Sequence, residues 1–245
     1  MKSLLKGILT KVSVGETIIK YYGRLKLRFY YGWLKGREKL FTDFYNINQW
    51  SNEESASGPG STLEYTKNIR TEIPKLLKQL NINSILDAPC GDFNWFGRIK
   101  TTLDVSYIGG DIVAPIIEKN IKSHSNSTTK FLQIDITKDK LPNADLWLCR
   151  DCLIHFSDKD IFNTLSNYFK SDISYLMTTT YTESKTNKNI PTGSHRFLNL
   201  ELPPFNFCKP ILYIDDWIEG HPTKRIGLWK REDLIEVLNN KNISK

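Results

Sequence analysis

Cysteines are sparse in this sequence, and long apolar segments are absent from it. The four cysteines, Cys90, Cys149, Cys152 and Cys208, are irregularly spaced over 245 residues. Such a set does not predict a disulfide framework, so we expect a reducing, cytoplasmic environment. No apolar stretch approaches the roughly 20 residues that a transmembrane helix needs. Lysines interrupt the first apolar residues, so we also expect no signal peptide.

Motifs for metals and phosphates are also missing. Cys149 and Cys152 form a C-x-x-C pair, but no second pair or neighbouring His completes a zinc site. We therefore expect no metal, and we interpret the pair as two small residues at the end of a buried strand. Neither G-x-G-x-x-G nor G-x-x-x-x-G-K-S/T occurs, which argues against NAD and ATP as ligands.

Positive charge is concentrated at the N-terminal end. Residues 1–40 contain ten Lys and Arg and two acidic residues, whereas the remainder contains 24 basic and 25 acidic residues. The formal net charge of +7 therefore comes from this end alone. A nearly neutral remainder argues against a broad nucleic-acid surface, so we expect no nucleic-acid partner.

Residues 1–45 form a basic arm in which Tyr, Phe and Trp are interspersed with Lys and Arg. Two interpretations are open. The arm is either a helix that contacts an anionic membrane or acidic partner, or a structural helix that packs its aromatic residues on the domain while its charges face water. We favour the structural helix, and we assign residues 46–245 to the main domain.

Short apolar segments alternate with helical segments from residue 84 onward. This alternation predicts an α/β fold: a doubly wound, Rossmann-like, mostly parallel seven-stranded sheet with helices on both faces. Ser157, three residues before Asp160, predicts a helix start by capping. The predicted strands are 84–87, 105–109, 130–134, 145–149, 175–179, 211–214 and 225–229. The predicted helices are 63–80, 92–99, 112–122, 158–169 and 231–240.

An acidic residue lies at or just beyond the end of each of the first three predicted strands. Doubly wound sheets bind ligands at the carboxyl ends of their strands, so we expect Asp87, Asp111 and Asp135 to lie near one ligand. An ionised carboxylate at Asp111 suits two ribose hydroxyls. Asp135 is placed to accept from an adenine amino group. Because the phosphate-binding motifs are missing, these acids predict an adenosine ligand without phosphates.

The segment Ile85–Gly91 (ILDAPCG) resembles the first motif of class I S-adenosylmethionine-dependent methyltransferases. Asp111 and Asp135 are similar to that family's ribose-binding and adenine-side acids, and residues 145–155 are similar to its fourth-strand motif. The resemblance covers about residues 60–180. It implies S-adenosylmethionine as the cofactor and methyl transfer as the activity.

A narrower resemblance, to bacterial methyltransferases associated with surface-glycan biosynthesis, extends further along the chain. Trp50 and the segments 57–61, 90–95 and 149–152 carry it. It implies that the acceptor is a hydroxyl, an amine or a phosphate-linked group of a small molecule or polysaccharide precursor.

The first loop departs from the family's pattern. Pro89 and Phe93 stand where further glycines are usual, and Gly91 alone remains. Residues 46–61, which are rich in turn formers, are expected to close over the cofactor as a lid, with a plain linker as the alternative. The expected cofactor contacts are Asp87, Ala88, Pro89, Gly91, Asp111, Ile112, Asp135, Ile136, Arg150, Trp50, Ser57 and Gly58.

Candidate catalytic and acceptor residues lie further along the chain. Asp151 and His155 follow the fourth strand, where the methyl group is expected, so both are candidate bases; bonds to the local backbone are the alternative. Residues 181–210, inserted after the fifth strand, are expected to shape the acceptor site. Within them we expect His195 and Arg196 to bind substrate. An arginine can grip a phosphate or carboxylate through two hydrogen bonds, although a surface salt bridge is the alternative for Arg196.

Two other functions fit parts of the sequence. An RNA methyltransferase would keep the cofactor and use the basic arm to contact phosphates. A membrane-associated scaffold with a vestigial methyltransferase fold would use the arm alone. The intact set of Asp87, Gly91, Asp111 and Asp135 favours cofactor binding over the scaffold.

Overall fold

Seven strands of the chain form one β-sheet. The computed structural model describes residue 23 and residues 25–235. The strands are β1 (Ser84–Asp87), β2 (Ser106–Asp111), β3 (Thr129–Gln133), β4 (Leu146–Cys149), β5 (Tyr175–Thr180), β6 (Leu212–Asp215) and β7 (Arg225–Lys230). Each lies within two residues of its predicted bounds, because short apolar segments between turn formers locate buried strands well.

The strand order is β3-β2-β1-β4-β5-β7-β6. The first five strands in this order pair in parallel, whereas β7 is antiparallel to both β5 and β6. The predicted mostly parallel, seven-stranded sheet is therefore confirmed, with one antiparallel hairpin at its edge. The chain winds outward in opposite directions from β1 and β4. Their carboxyl ends flank the crevice where doubly wound sheets bind ligands.

Five α-helices that are described over their whole length connect or flank these strands. They are α1 (Gly36–Asn46), α2 (Lys67–Gln79), α3 (Asn94–Lys100), α4 (Ala114–His124) and α5 (Asp158–Phe169). The Ser157 side chain accepts from the Asp160 N–H at 3.2 Å, which confirms the predicted cap of α5. Helix α2 begins four residues later than predicted, because Leu63 lies in a turn. Residues 231–235 begin the predicted last helix, whose remainder lies outside the described residues.

Helices cover both faces of the sheet because successive strand residues point to opposite sides. On one face, Leu86 and Trp147 pack in a cluster with residues of α5. On the other face, Ile85 and Leu146 pack with residues of α2 and α3. Two apolar cores therefore hold the sheet rigidly beneath its carboxyl edge.

The basic arm is helical where the structure describes it. A π-helical segment, Lys26–Lys35, leads into α1. Phe41 of α1 packs against Phe156 with ring centroids 6.1 Å apart, as expected for a structural helix. Arg37, however, points inward and not to water, as described below. About half of residues 1–45, on which the expected membrane contact falls, lies outside the described residues. Within that range, none of the helices combines the length and apolar character needed to span a bilayer.

Candidate functional site

A cavity of about 500 Å³ lies at the carboxyl edge of the sheet. Asp87 at the end of β1, Asp111 at the end of β2, Asp135 beyond β3 and Arg150 after β4 all line it. The three acids that were predicted to meet at one ligand therefore share one cavity. Its volume falls within the range of roughly 300–1,000 Å³ that is usual for small-molecule sites.

Asp111 is held in place by backbone donors. The Gly91 N–H donates to its Oδ2 at 3.1 Å, and the Val113 N–H donates to its Oδ1 at 3.0 Å. Burial raises the pKa of Asp111 to about 6, although these backbone bonds oppose the rise. An ionised carboxylate has about four acceptor positions, so each oxygen can accept one more hydrogen bond from a ligand.

Asp87 lies deeper at the same edge. The Tyr107 hydroxyl donates to its Oδ2 at 2.7 Å. Burial raises the pKa of Asp87 to about 7, so the carboxyl group is partly protonated at neutral pH. A cationic ligand group in the cavity would favour its ionised form.

The loop after β1 approaches the cavity at Gly91. Its φ is +53°, and a Cβ at this position would lie 2.0 Å from Oγ of Ser57, so the site requires glycine. The Ala88–Pro89 peptide bond is cis, and Pro89 lines the cavity. Ala88 was expected to contact the cofactor, but it does not line the cavity. It is fully buried, and its carbonyl accepts from Nε1 of Trp147 at 2.9 Å.

Asp135 lies at the cavity edge with protein partners on both carboxylate oxygens. Its Oδ2 accepts from Nη2 of Arg37 at 2.9 Å, and its Oδ1 accepts from the N–H and hydroxyl of Thr137 at 3.1 and 2.8 Å. Burial alone would raise its pKa, but Arg37 and Thr137 outweigh burial and lower it. One acceptor position, on Oδ2, remains for a ligand amino group.

The segment 46–61 lies over the cavity. The carboxylate of Asp92, in the loop after β1, accepts from Oγ of Ser55 at 3.0 Å and from the Ala56 N–H at 2.8 Å. Oγ of Ser57 donates to it at 3.2 Å. Any opening of the segment would have to break these bonds. Three of its residues that were expected at the cofactor line the cavity: Trp50, Ser57 and Gly58.

Two basic side chains, Arg150 after β4 and Lys224 before β7, are paired with two carboxylates. Arg150 donates twice to Asp216, at 2.8 and 2.9 Å, and its Nη2 donates to the Gly60 carbonyl at 2.6 Å. Nζ of Lys224 donates to Asp151 and lies 3.4 Å from Oδ2 of Asp216. The four charges sum to zero, and the network joins the segment 46–61, the end of β4 and the β6–β7 connection.

Asp151 lies in the cavity, as predicted for a base, but its surroundings favour a different role. Burial would raise its pKa, yet Lys224 and Arg150 outweigh burial and hold the pKa well below its usual range. The Thr179 hydroxyl also contacts its Oδ1 at 3.2 Å. A carboxylate with so low a pKa is a weak proton acceptor. Asp151 therefore supplies a fixed negative charge.

His155, the second candidate base, lines the cavity with one ring nitrogen bound to the backbone. Its Nδ1 lies 2.9 Å from the carbonyl oxygen of Ser194, and a carbonyl can only accept, so Nδ1 carries the proton. Burial lowers the pKa of His155, which leaves the ring neutral at pH 7. Its Nε2 has no hydrogen-bond partner within residues 25–235, and the ring lines the cavity.

The structure separates the two predicted acceptor residues. His195 lines the cavity, with its ring centroid 5.5 Å from that of His155. Arg196 does not reach the cavity. Its guanidinium is buried against Asp158 and donates to the carbonyl of Phe156 at 3.0 Å, so it holds the 181–210 segment to the start of α5.

Several cavity residues were not predicted individually. Trp95 lies in one of the quoted motifs, and Tyr181 and Phe197 lie within the expected acceptor segment, so the sequence located them only roughly. Nothing in the local sequence marks the rest, because they reach the cavity from distant elements. They include Phe41 and Tyr45 of α1, Tyr65, His221, Pro222 and Lys224.

The C-x-x-C pair lies at the end of β4. Cys149 and Cys152 are both buried, and Cys152 lines the cavity. Among the residues that the structure describes, no three His, Cys, Asp or Glu side chains are grouped so as to hold a metal ion.

Comparison with known proteins identifies the fold of this chain but does not assign it to a family. No family model matches the sequence, and no curated protein matches it. Among solved structures, magnesium protoporphyrin IX methyltransferase from Synechocystis PCC 6803 with bound SAH is 12% identical, with a TM-score of 0.58 over 80% of this chain and 100% of that chain.

Two further structures are similar to a comparable degree. Burkholderia thailandensis 1,6-didemethyltoxoflavin-N1-methyltransferase with bound S-adenosylhomocysteine is 12% identical, with a TM-score of 0.57 over 79% of this chain and 86% of that one. Human N-acetylserotonin methyltransferase in complex with SAM is 14% identical, with a TM-score of 0.55 over 79% of this chain and 59% of that one. The chain therefore has the fold of these methyltransferases.

Proposed function

We propose that this chain is an S-adenosylmethionine-dependent methyltransferase. The observation that carries the proposal is Asp111, a buried carboxylate that two backbone N–H groups orient into a cavity at the switch point of the sheet. Each of its oxygens keeps an acceptor position, which suits the two hydroxyls of a ribose. The similar folds of solved methyltransferases support the same assignment.

The remainder of the cavity also fits this cofactor. Apolar side chains beside Asp111 would cover the faces of an adenine ring: Ile112, Val113, Ile116, Ile134 and Ile136. Apart from the histidines, four carboxylates and two basic side chains line the cavity. The excess of negative charge favours the binding of a cation such as a sulfonium. The carboxylates are Asp87, Asp111, Asp135 and Asp151, and the basic residues are Arg150 and Lys224.

The acceptor would meet His155 in the same cavity. When bound, S-adenosylmethionine supplies a methyl group whose transfer returns an electron pair to sulfur. A hydroxyl acceptor loses its proton as its oxygen takes the methyl group. Nε2 of His155 is neutral, unpaired among the described residues and faces the cavity, so we assign it that proton. The segment 46–61 would exclude water while the transfer occurs.

For the acceptor we propose a small molecule, including a precursor of a surface glycan. The names of two similar structures support small molecules in general, since those proteins methylate N-acetylserotonin and 1,6-didemethyltoxoflavin. The motif resemblance around Trp50 and residues 149–152 supports the glycan precursor.

Calorimetric titration with S-adenosylmethionine and S-adenosylhomocysteine tests the proposal. We expect micromolar binding to the wild type and loss of binding in Asp111→Ala, while Asp104→Ala serves as a control because Asp104 does not line the cavity. A folded wild type that binds neither compound would refute the proposal. Binding of anionic vesicles without any adenosine binding would then favour the scaffold, and salt-dependent RNA binding alongside cofactor binding would favour the RNA methyltransferase.

A further inference from the structure

A continuous belt of aromatic and imidazole rings lines the cavity on the His155 side. The ring centroids follow one another from Trp50 to His155 at 6.4 Å, to His195 at 5.5 Å, to Phe197 at 5.5 Å and to Tyr181 at 4.9 Å. All five side chains face the cavity. Such a belt offers flat, uncharged contact to the face of another ring.

Further rings stand elsewhere on the cavity wall. Tyr65 and His221 contact edge to face, with centroids 5.3 Å apart, and Nζ of Lys224 lies 4.9 Å from the Tyr65 centroid. The guanidinium of Arg150 lies 5.5 Å from the Trp95 ring. Both cations are therefore placed against rings as well as against their carboxylate partners.

The basic side chains at this end of the cavity are already paired with carboxylates, so they are poorly available to bind an anion. Arg150 is held bidentately by Asp216, and Lys224 is held by Asp151 and Asp216. Arg196 forms an ion pair with Asp158 outside the cavity. An acceptor with a phosphate would add a charge of about −1.5 to −2 beside these carboxylates, with both lining cations already paired.

Neutral hydrogen-bonding groups, by contrast, are unpaired here. The hydroxyls of Tyr65 and Tyr181 have no hydrogen-bond partner within the described part of the chain, and both side chains are largely buried. Nε2 of His155 likewise has no hydrogen-bond partner within the described part of the chain. Because all three side chains line the cavity, these groups are available to form hydrogen bonds with a bound ligand.

We propose that the acceptor is an uncharged ring compound with free hydroxyl groups, seated with its ring face on the belt from Trp50 to Tyr181. This inference rests on the proposed methyl transfer and narrows it to hydroxyl oxygens on neutral rings. A phenolic ring and a sugar ring share this chemistry, since each has an apolar face and hydroxyls at its edge.

Matched pairs of probes test the proposal on the full-length protein saturated with S-adenosylhomocysteine. One pair is catechol and 3,4-dihydroxybenzoate, and the other is methyl β-D-glucopyranoside and glucose 6-phosphate. Ligand-observed NMR measures binding, and release of S-adenosylhomocysteine from S-adenosylmethionine measures transfer. We expect the neutral member of one pair to bind, with its anionic counterpart roughly tenfold weaker. The pair that responds distinguishes a phenol from a sugar.

Three variants make the test more specific. Phe197→Ala removes an exposed ring of the belt and should lose the neutral probe, whereas Phe162→Ala removes an exposed ring outside the cavity and should not. Asp151→Asn leaves Lys224 with one partner, so the disadvantage of the anionic probe should shrink.

Three results would overturn the inference: equal or tighter binding of the anionic probes to the wild type, no binding of either neutral probe, or equal effects of the two phenylalanine variants. Failure of S-adenosylhomocysteine to bind at all would instead overturn the proposed function.

Discussion

Nη2 of Arg37 donates to Oδ2 of Asp135 at 2.9 Å, across 98 residues of sequence. Nη1 of the same guanidinium donates to Oδ1 of Asp160 at 2.9 Å. One basic residue of the arm thus joins the end of β3 to the start of α5. As a result, Phe41 and Tyr45 of α1 are held against the cavity and form part of its lining.

Arg37→Ala is expected to weaken cofactor binding. Without the guanidinium, two largely buried carboxylates lose their arginine partner and α1 is released from the cavity. We expect the Kd for S-adenosylmethionine, measured by calorimetry, to rise roughly tenfold, with partial rescue in Arg37→Lys. Lys39→Ala is the matched control, because Lys39 pairs with Asp43 on the exposed side of the same helix. Similar affinities for Arg37→Ala and Lys39→Ala would contradict a role for Arg37 in positioning this wall.

Cofactor affinity should fall in mild acid. Burial raises the pKa of Asp111 to about 6, so below that pH a proton occupies an acceptor position that the ligand needs. The Kd should be lowest above about pH 8, where Asp87 is ionised as well, and should rise as the pH falls toward about 5. In Asp111→Asn this dependence near pH 6 should vanish, whereas in Asp87→Asn it should persist. A flat profile for the wild type over this range would show that Asp111 does not bind the ligand in its ionised form.

Asp87 should reduce the stability of the ligand-free protein above neutral pH. Burial raises its folded-state pKa to about 7, above the ordinary value of 3.8, so its favourable contribution is complete below about pH 4 and is lost as the pH rises through 7. Asp87→Asn keeps an acceptor for the Tyr107 hydroxyl and does not ionise. It should be more stable than the wild type by at least about 1 kcal/mol at pH 8, or roughly 2–4 °C in Tm. The gain should disappear near pH 4, and a gain independent of pH would exclude ionisation as its cause.

His155→Gln should lower kcat by roughly 100-fold or more while leaving cofactor affinity nearly unchanged. The substitution removes the lone pair of Nε2 but keeps a polar side chain beside the Ser194 carbonyl. Because burial lowers the pKa of His155, the wild-type kcat should fall only below the ordinary histidine range, as the ring gains a proton. His124→Gln provides the control, since His124 does not line the cavity. An acid limb of kcat that survives in His155→Gln would assign the base to another group.

Asp92→Asn should accelerate cofactor dissociation. Its carboxylate holds Ser55, Ala56 and Ser57 of the segment over the cavity, and an amide can replace only part of these bonds. Stopped-flow measurement of the dissociation rate should show a roughly tenfold increase, since affinity changes are mostly changes in dissociation. Glu53→Gln alters an exposed acid of the same segment and should have no comparable effect.

The strands and the location of the site were accessible from local sequence. Apolar segments bounded by turn formers identify buried strands without any knowledge of their neighbours, and parallel strands carry their following residues to one edge. For this reason Asp87, Asp111 and Asp135 could be predicted to lie at one edge of the sheet, where they line the same cavity. The cap at Ser157 was predictable for the same reason, because it involves residues three apart.

The partners of the charged residues were decided by the tertiary structure. Arg37 and Asp135, Arg150 and Asp216, and Lys224 and Asp151 are pairs separated by 98, 66 and 73 residues. Such pairs assigned Asp151 to a charge network and Arg196 to a structural anchor, against the roles that their sequence positions suggested. The sequence by itself determined which residues end the strands. The tertiary structure decided which of these groups are ionised, neutral or unpaired. Burial and neighbouring charges determine the protonation of a side chain, and both depend on contacts between segments that are distant in the sequence.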